Sequence, residues 1–151
     1  MSVLPHRPTI FIDRNSGGRT FRDLITSESF RVVLHDEHFK GRTPKDEEWL
    51  KEIGDLGWIM VTGDLATAKS PLFLAELKRS ESRVFLLNGL NGATRENKAK
   101  CIIDNYETMV RISGKYPAPL LWSITKDGRP YNINFRERLG MMRRSDAPRR
   151  E

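Results

Sequence analysis

The sequence lacks the features of several protein classes. It has a single cysteine, Cys101, so no intramolecular disulfide can form, and no cysteine or histidine spacing is typical of a zinc site. No apolar run approaches the roughly 18 residues that a membrane-spanning helix requires. The first residues, MSVLPHRPT, do not form an apolar signal segment. We therefore expect a protein of the cytoplasm with a reduced thiol and no membrane association.

Acidic residues are fewer than basic ones, and much of this difference lies near the C-terminus. The chain has 26 Lys and Arg against 20 Asp and Glu, a net charge of +6. Residues 136–151 hold six arginines and three acidic residues, a local charge of +3. Such a tail is typical of a segment that contacts RNA or a partner, and equally of one that only increases solubility. Because 151 residues suffice for one core, we predict one domain, residues 1–135, followed by a basic, flexible tail, residues 136–151.

Strand and helix signals alternate along the chain. Apolar runs predict strands at 9–12, 30–34, 58–62 and 84–87. Helical spacing predicts helices that begin near Thr20 and Thr43, a short helix within 70–80, and a long helix from about Thr94 to Ser113. The segments LLWSI and YNINF flank a turn at 126–129 and predict an antiparallel hairpin. This order predicts an α/β fold, a three-layer α/β/α sandwich with a central, mainly parallel sheet and a C-terminal β-hairpin.

Polar side chains follow the predicted strands directly. In strand order they are Asp13, then His35 and Asp36, then Asp64, then Asn88. The carboxyl ends of parallel strands share one edge of a sheet, and open α/β sheets bind ligands in the crevice outside that edge. We therefore expect these side chains to form an acidic pocket.

Asp46 joins this group by its place in a predicted helix. It precedes Trp49 by three residues and Leu50 by four, so it shares their face at the start of the helix. Clustered carboxylates repel one another unless a cation lies between them, and hard ions such as Mg²⁺ or Mn²⁺ prefer oxygen ligands. Metal-assisted hydrolysis of a phosphodiester bond is the reaction that such a site favours.

Four motifs carry a family resemblance. In this order, FIDRNSGG, LHDEHF, TPKDEEWL and GWIMVTGD resemble the PIN-like nuclease domain, notably its toxin-associated branch, over about residues 8–125. The resemblance implies that Asp13, Asp46 and Asp64 are the metal-binding and catalytic residues of a Mg²⁺- or Mn²⁺-dependent endoribonuclease. It also implies RNA as the substrate, a toxin–antitoxin module with a small antitoxin protein as partner, and a homodimer, which many relatives form.

One position departs from the family pattern. PIN domains usually have a fourth acid near the fourth strand, where this sequence has Asn88 and Asn91. Asp36, Glu37 or Asn88 is therefore the candidate to complete the site, which holds one or two metal ions.

Each candidate residue also has a structural alternative. Asp13 caps a loop, Asp46 caps a helix and Asp64 forms an Asx turn in these alternatives. Arg14 is a candidate to bind a substrate phosphate, or it neutralises neighbouring acids. His35 is a candidate to contact substrate, or it is a hydrogen-bonded packing residue. For the whole protein, the alternative is a non-catalytic module that keeps the fold and binds RNA or a protein.

Overall fold

The computed structural model describes residues 7–13, 22–25, 30–39 and 46–133, and its strands form one sheet. The strands are β1 (Ile10–Ile12), β2 (Val32–Leu34), β3 (Ile59–Thr62), β4 (Arg83–Leu87), β5 (Leu120–Ile124) and β6 (Pro130–Asn132). The helices are α1 (His35–His38), α2 (Asp46–Asp55), α3 (Pro71–Ser80) and α4 (Arg95–Lys115). Short 3₁₀ helices span Leu65–Lys69 and Asn88–Leu90.

The sheet has the strand order β2-β1-β3-β4-β5-β6. Neighbouring strands from β2 through β5 pair in parallel, and β6 pairs antiparallel with β5. Ile12 at the end of β1 is in register with Leu34 on one side and Val61 on the other. The predicted mainly parallel sheet with an added hairpin is confirmed.

Helices cover both faces of the sheet, which creates two apolar cores. Because successive strand residues point to opposite faces, Ile10 and Ile12 enter one core and Phe11 enters the other. The first core contains α4, whose inward face consists of Ala99, Ile102, Tyr106, Met109 and Ile112. The second contains α2 and α3, through Trp49, Leu50, Ile53, Phe73, Leu74 and Leu77. This is the predicted three-layer α/β/α sandwich.

Local capping fixes where two of the helices begin. Ser70 precedes α3, its hydroxyl accepts a hydrogen bond from the Phe73 N–H, and proline occupies the first turn. Thr94 precedes α4 and accepts from the Asn97 N–H in the same way. Both helices start within a residue of their predicted positions, because the caps are visible in the sequence.

The structure differs from the prediction at a few element boundaries. The segment after β2 forms the one-turn helix α1, which was not predicted, and β2 itself begins two residues later than expected. The described residues do not include Thr20 and Thr43, near which two helices were predicted to begin, or the predicted tail, residues 136–151. In the described part of the chain, no helix is both long and apolar enough to cross a membrane.

Candidate functional site

The sheet order creates a crevice at the carboxyl ends of β1 and β3. From β1 the chain goes to β2 on one side and then returns to β3 on the other. Helices that connect strands on opposite sides of such a point diverge, and ligands of open α/β sheets bind there. The residues that follow β1 and β3 therefore border this crevice.

Asp13 lies at the end of β1. Its backbone N–H donates to the carbonyl oxygen of Val61 in β3 at 3.4 Å, so the backbones of the two strands still pair at this position. The residue is half-buried. The sheet therefore fixes the backbone of Asp13 next to the final residues of β3.

Asp64 lies two residues after the end of β3 and is exposed. Its backbone N–H donates to the Thr62 hydroxyl at 3.0 Å, and its Oδ1 accepts from the Ala66 N–H at 3.0 Å. This is the Asx turn of the structural alternative, and it begins the 3₁₀ helix Leu65–Lys69. The turn uses one carboxylate oxygen and holds the side chain in a fixed orientation.

Gly63 lies between Thr62 and Asp64, where close packing leaves little room for a side chain. A Cβ atom at this position would lie 3.0 Å from the Leu90 Cβ and 3.4 Å from the Asn91 backbone nitrogen. The end of β3 therefore packs directly against the loop after β4. This contact fixes the distance between Asp64 and the residues that follow β4.

Two predicted site residues are not described at the level of the side chain. Asp46 begins α2. Trp49 and Leu50, whose helix face Asp46 was expected to share, are buried, and Glu48 is exposed. The Asp46 side chain and the whole of Arg14 lie outside the described residues. The roles predicted for these two residues stay predictions.

His35 lies directly after β2 and is 7% exposed. Its ring packs near the rings of Phe11, Phe39 and Trp49, with centroid distances of 5.9, 5.0 and 5.8 Å. Its Nδ1 lies 3.3 Å from the Asp36 carboxylate. The surroundings of His35 are those of the packing alternative, and its contact with substrate stays a prediction.

The three candidates to complete the site have different surroundings. The Glu37 carboxylate pairs with Arg22 at 2.5 Å, and the Asp36 side chain is 68% exposed. Asn88 opens the 3₁₀ helix after β4, and its Oδ1 is buried without a hydrogen bond to any described residue. Asn88 thus offers an uncommitted oxygen at the end of the strand next to β3.

A pocket of about 420 Å³ opens beside Asp64. Its wall includes Gly63, Asn91, Gly92 and, from α4, Lys98. Sequence reasoning missed Lys98, although the segment RENKAK gave a signal. The start of a helix favours acidic side chains, whereas Arg95, Lys98 and Lys100 are basic and occupy the first two turns of α4. The positive end of a helix attracts phosphate, and a neighbouring carboxylate can bind a metal ion. Together they suit a phosphate ligand that is accompanied by a metal ion.

The described side chains alone do not form a complete metal centre. Within residues 7–13, 22–25, 30–39 and 46–133, no group of three or more His, Cys, Asp or Glu side chains is arranged to hold a metal ion. The oxygen ligands available at the strand ends are the carboxylates of Asp13 and Asp64, after β1 and β3, and the buried amide oxygen of Asn88, after β4. Such donors suit Mg²⁺ or Mn²⁺ rather than a softer metal.

Comparison with protein-family models identified a PIN-like domain. A family model described as a PIN-like domain matches residues 8–89, just over half of the chain. The matched segment includes β1 through β4 and ends immediately after Asn88. Searches of the curated proteins and of the solved structures gave no match.

Proposed function

This chain belongs to the PIN-like domain family, and on that premise we propose that it is a divalent-metal-dependent endoribonuclease. One observation carries the proposal. Asp13 and Asp64 follow the two adjacent strands on either side of the crevice at which a sheet of this order binds its ligand. Members of the family are generally nucleases, which agrees with carboxylates at this place.

Asp13, Asp46 and Asp64 are the residues that would hold Mg²⁺ or Mn²⁺, with Asn88 as a neutral fourth ligand. The donor chemistry fits, since carboxylate and amide oxygens are hard ligands. When bound, such an ion lowers the pKa of a water molecule and stabilises the oxygen that leaves a phosphodiester. A neutral amide in place of a fourth acid reduces the negative charge of the site, which favours one bound ion over two.

The chain itself contributes position and charge. The Asx turn at Asp64 fixes one side of the crevice before any ligand arrives. Lys98, from the positive end of α4, provides attraction for a phosphate group in the same pocket. Arg14 and the tail 136–151 are proposed as further contacts to the RNA backbone.

The biological role proposed here is that of a toxin in a toxin–antitoxin module. It rests on the resemblance of the four sequence motifs to the toxin-associated branch of the family. It implies a small antitoxin protein as partner, a homodimer as the active form and the cytoplasm as the location. A search of the neighbouring open reading frame for a small antitoxin-like protein would test this role.

Cleavage of a fluorescently labelled RNA with Mg²⁺, with Mn²⁺ and with EDTA tests the activity. We expect cleavage with either ion and none with EDTA. Asp13→Asn and Asp46→Asn should each lower the cleavage rate by more than about 100-fold, because even residues outside the first ligand shell cost 10–100-fold when changed. Asp55→Asn is the matched control, since Asp55 ends the same helix that Asp46 begins. Its surface pair with Lys51 contributes only about 0.3–0.5 kcal/mol to stability, so this variant should cleave as the wild type does.

Two outcomes would contradict the proposal. Cleavage that continues in EDTA would remove the metal from the mechanism. RNA binding without cleavage in either ion would favour the second candidate, a binding module that keeps the PIN-like fold. The Asx turn at Asp64 is the observation that favours this second candidate, because it gives that carboxylate a structural role.

A further inference from the structure

A second and larger cleft lies next to the pocket at Asp64. Its volume is about 650 Å³, and it is bounded by the loop after β4, one face of α4 and the turn between β5 and β6. Asn91 and Gly92 line both this cleft and the pocket at Asp64, so the two spaces share a wall. A ligand that extends past these two residues would occupy both.

The chemistry of the cleft differs from that of its neighbour. Its charged residues balance, because Lys100 donates to the Asp104 carboxylate at 2.6 Å and Lys126 is followed by Asp127 in the turn. Its remaining polar groups are mainly amides, among them Asn97. A nearly neutral, amide-rich cleft of this volume suits an uncharged heterocycle with several hydrogen-bonding edges, rather than a phosphate group or a metal ion.

Asn105 gives the cleft a fixed hydrogen-bond acceptor. Its Nδ2 donates to the Cys101 carbonyl oxygen at 2.8 Å, one turn back along α4. Its Oδ1 faces the turn, because a Cβ atom added to Gly128 would lie 3.8 Å from it. The exocyclic amino group of adenine, cytosine or guanine can donate to such an oxygen, whereas the N3–H of uracil lies between two carbonyl oxygens that the Asn105 Oδ1 would repel.

We propose that this cleft binds the base of the nucleotide next to the scissile phosphate, with a preference for bases that carry an exocyclic amino group over uracil. The inference rests on the proposed nuclease activity, since it assigns the neighbouring pocket at Asp64 to the phosphate. The cleft then selects the sequence that is cut, while the residues around Asp64 carry out the cut.

Cys101 provides a probe of the cleft that does not need catalysis. It is the chain's only cysteine, and it lies in the cleft wall. Burial raises the pKa of the Cys101 thiol, so alkylation is run near pH 9, above the value of about 8.5 for a free thiol. A bound nucleotide should slow the reaction, which intact-mass spectrometry measures.

The experiment compares AMP, CMP, GMP, UMP and inorganic phosphate at millimolar concentration in EDTA. We expect AMP, CMP or GMP to slow alkylation at least about fivefold, UMP less, and phosphate not at all. Asn105→Ala should remove most of this protection, because it removes the Oδ1 acceptor, and alanine is well tolerated inside α4. Arg129→Ala is the control, since Arg129 is exposed in the same turn and does not line the cleft.

The outcomes separate this inference from the proposed function. Equal alkylation rates with every nucleotide and with phosphate would overturn base binding in the cleft, and so would full protection in Asn105→Ala. Protection without metal-dependent RNA cleavage would retain base binding and contradict the nuclease activity. In an active enzyme, sequencing of cleavage ends from a randomised RNA should show a base preference that Asn105→Ala weakens and Arg129→Ala retains.

Discussion

Asp64 has an observed role in a turn and a proposed role in metal binding, and a set of substitutions can separate the two. Its Oδ1 accepts a hydrogen bond from the Ala66 N–H, and its charge is assigned to the metal. Asparagine caps and turns as well as aspartate does, so Asp64→Asn should change the free energy of unfolding by no more than a few tenths of a kcal/mol. Asp64→Ala removes the acceptor and should cost about 1 kcal/mol. For a domain of this size that cost lowers Tm by about 2–4 °C.

The loss of cleavage should not depend on the loss of stability. Both Asp64→Asn and Asp64→Ala remove the charge, so both should lose more than about 100-fold in Mn²⁺-dependent cleavage despite their different stabilities. Ser70→Ala is the control for stability alone. It removes the acceptor for the Phe73 N–H at the start of α3, costs a similar amount and should leave cleavage intact.

The assays are thermal unfolding in EDTA and cleavage of labelled RNA in Mn²⁺, on all variants in parallel. Wild-type cleavage by Asp64→Asn would refute the metal role of Asp64. A loss of cleavage in Asp64→Ala no larger than that in Ser70→Ala would assign the residue to the turn alone.

Two further predictions concern packing away from the site. Tyr106→Phe removes a hydroxyl that donates to the Pro8 carbonyl at 2.7 Å in the first core, so urea unfolding should show a loss of about 1–3 kcal/mol, and an unchanged midpoint would contradict this role. Gly54→Ala places a Cβ atom 2.5 Å from the Ser80 carbonyl oxygen and should destabilise the protein by about 1–3 kcal/mol. Gly114→Ala meets nothing within 4 Å in α4 and should stabilise it by about 0.5 kcal/mol, so Tm changes of equal sign for the two variants would refute the packing argument.

The sequence predicted that the candidate site residues follow strands of the sheet, because strand ends are local signals. Asp13 and Asp64 follow short apolar runs, and parallel pairing brings such ends to one edge without further information. The order of the strands is not a local signal. That β1 lies between β2 and β3, which places the crevice at Asp13 and Asp64, depends on long-range pairing that only the structure reveals.

Loop residues were the part that sequence patterns missed. His35 was expected to follow the second strand, which it does, but the helix that forms there was not predicted, and the imidazole packs among aromatic rings. Asn91 lines the pocket at Asp64 because the loop after β4 contacts Gly63, and Lys98 lines it from α4. Such contacts depend on how a loop packs in three dimensions, which periodicity does not encode. The basic start of α4 was the one sequence signal that pointed to this wall.

The segment that matches the PIN-like family ends at residue 89, while α4 and the turn between β5 and β6 lie beyond it. Under the two proposals, the matched segment supplies the oxygen ligands and the later segment supplies most of the wall that reads the base. Reaction chemistry and target choice would then reside in consecutive stretches of one chain. Evolution, or an engineer, would be able to retarget such an enzyme by altering residues in 90–133 while its hydrolytic centre stayed the same.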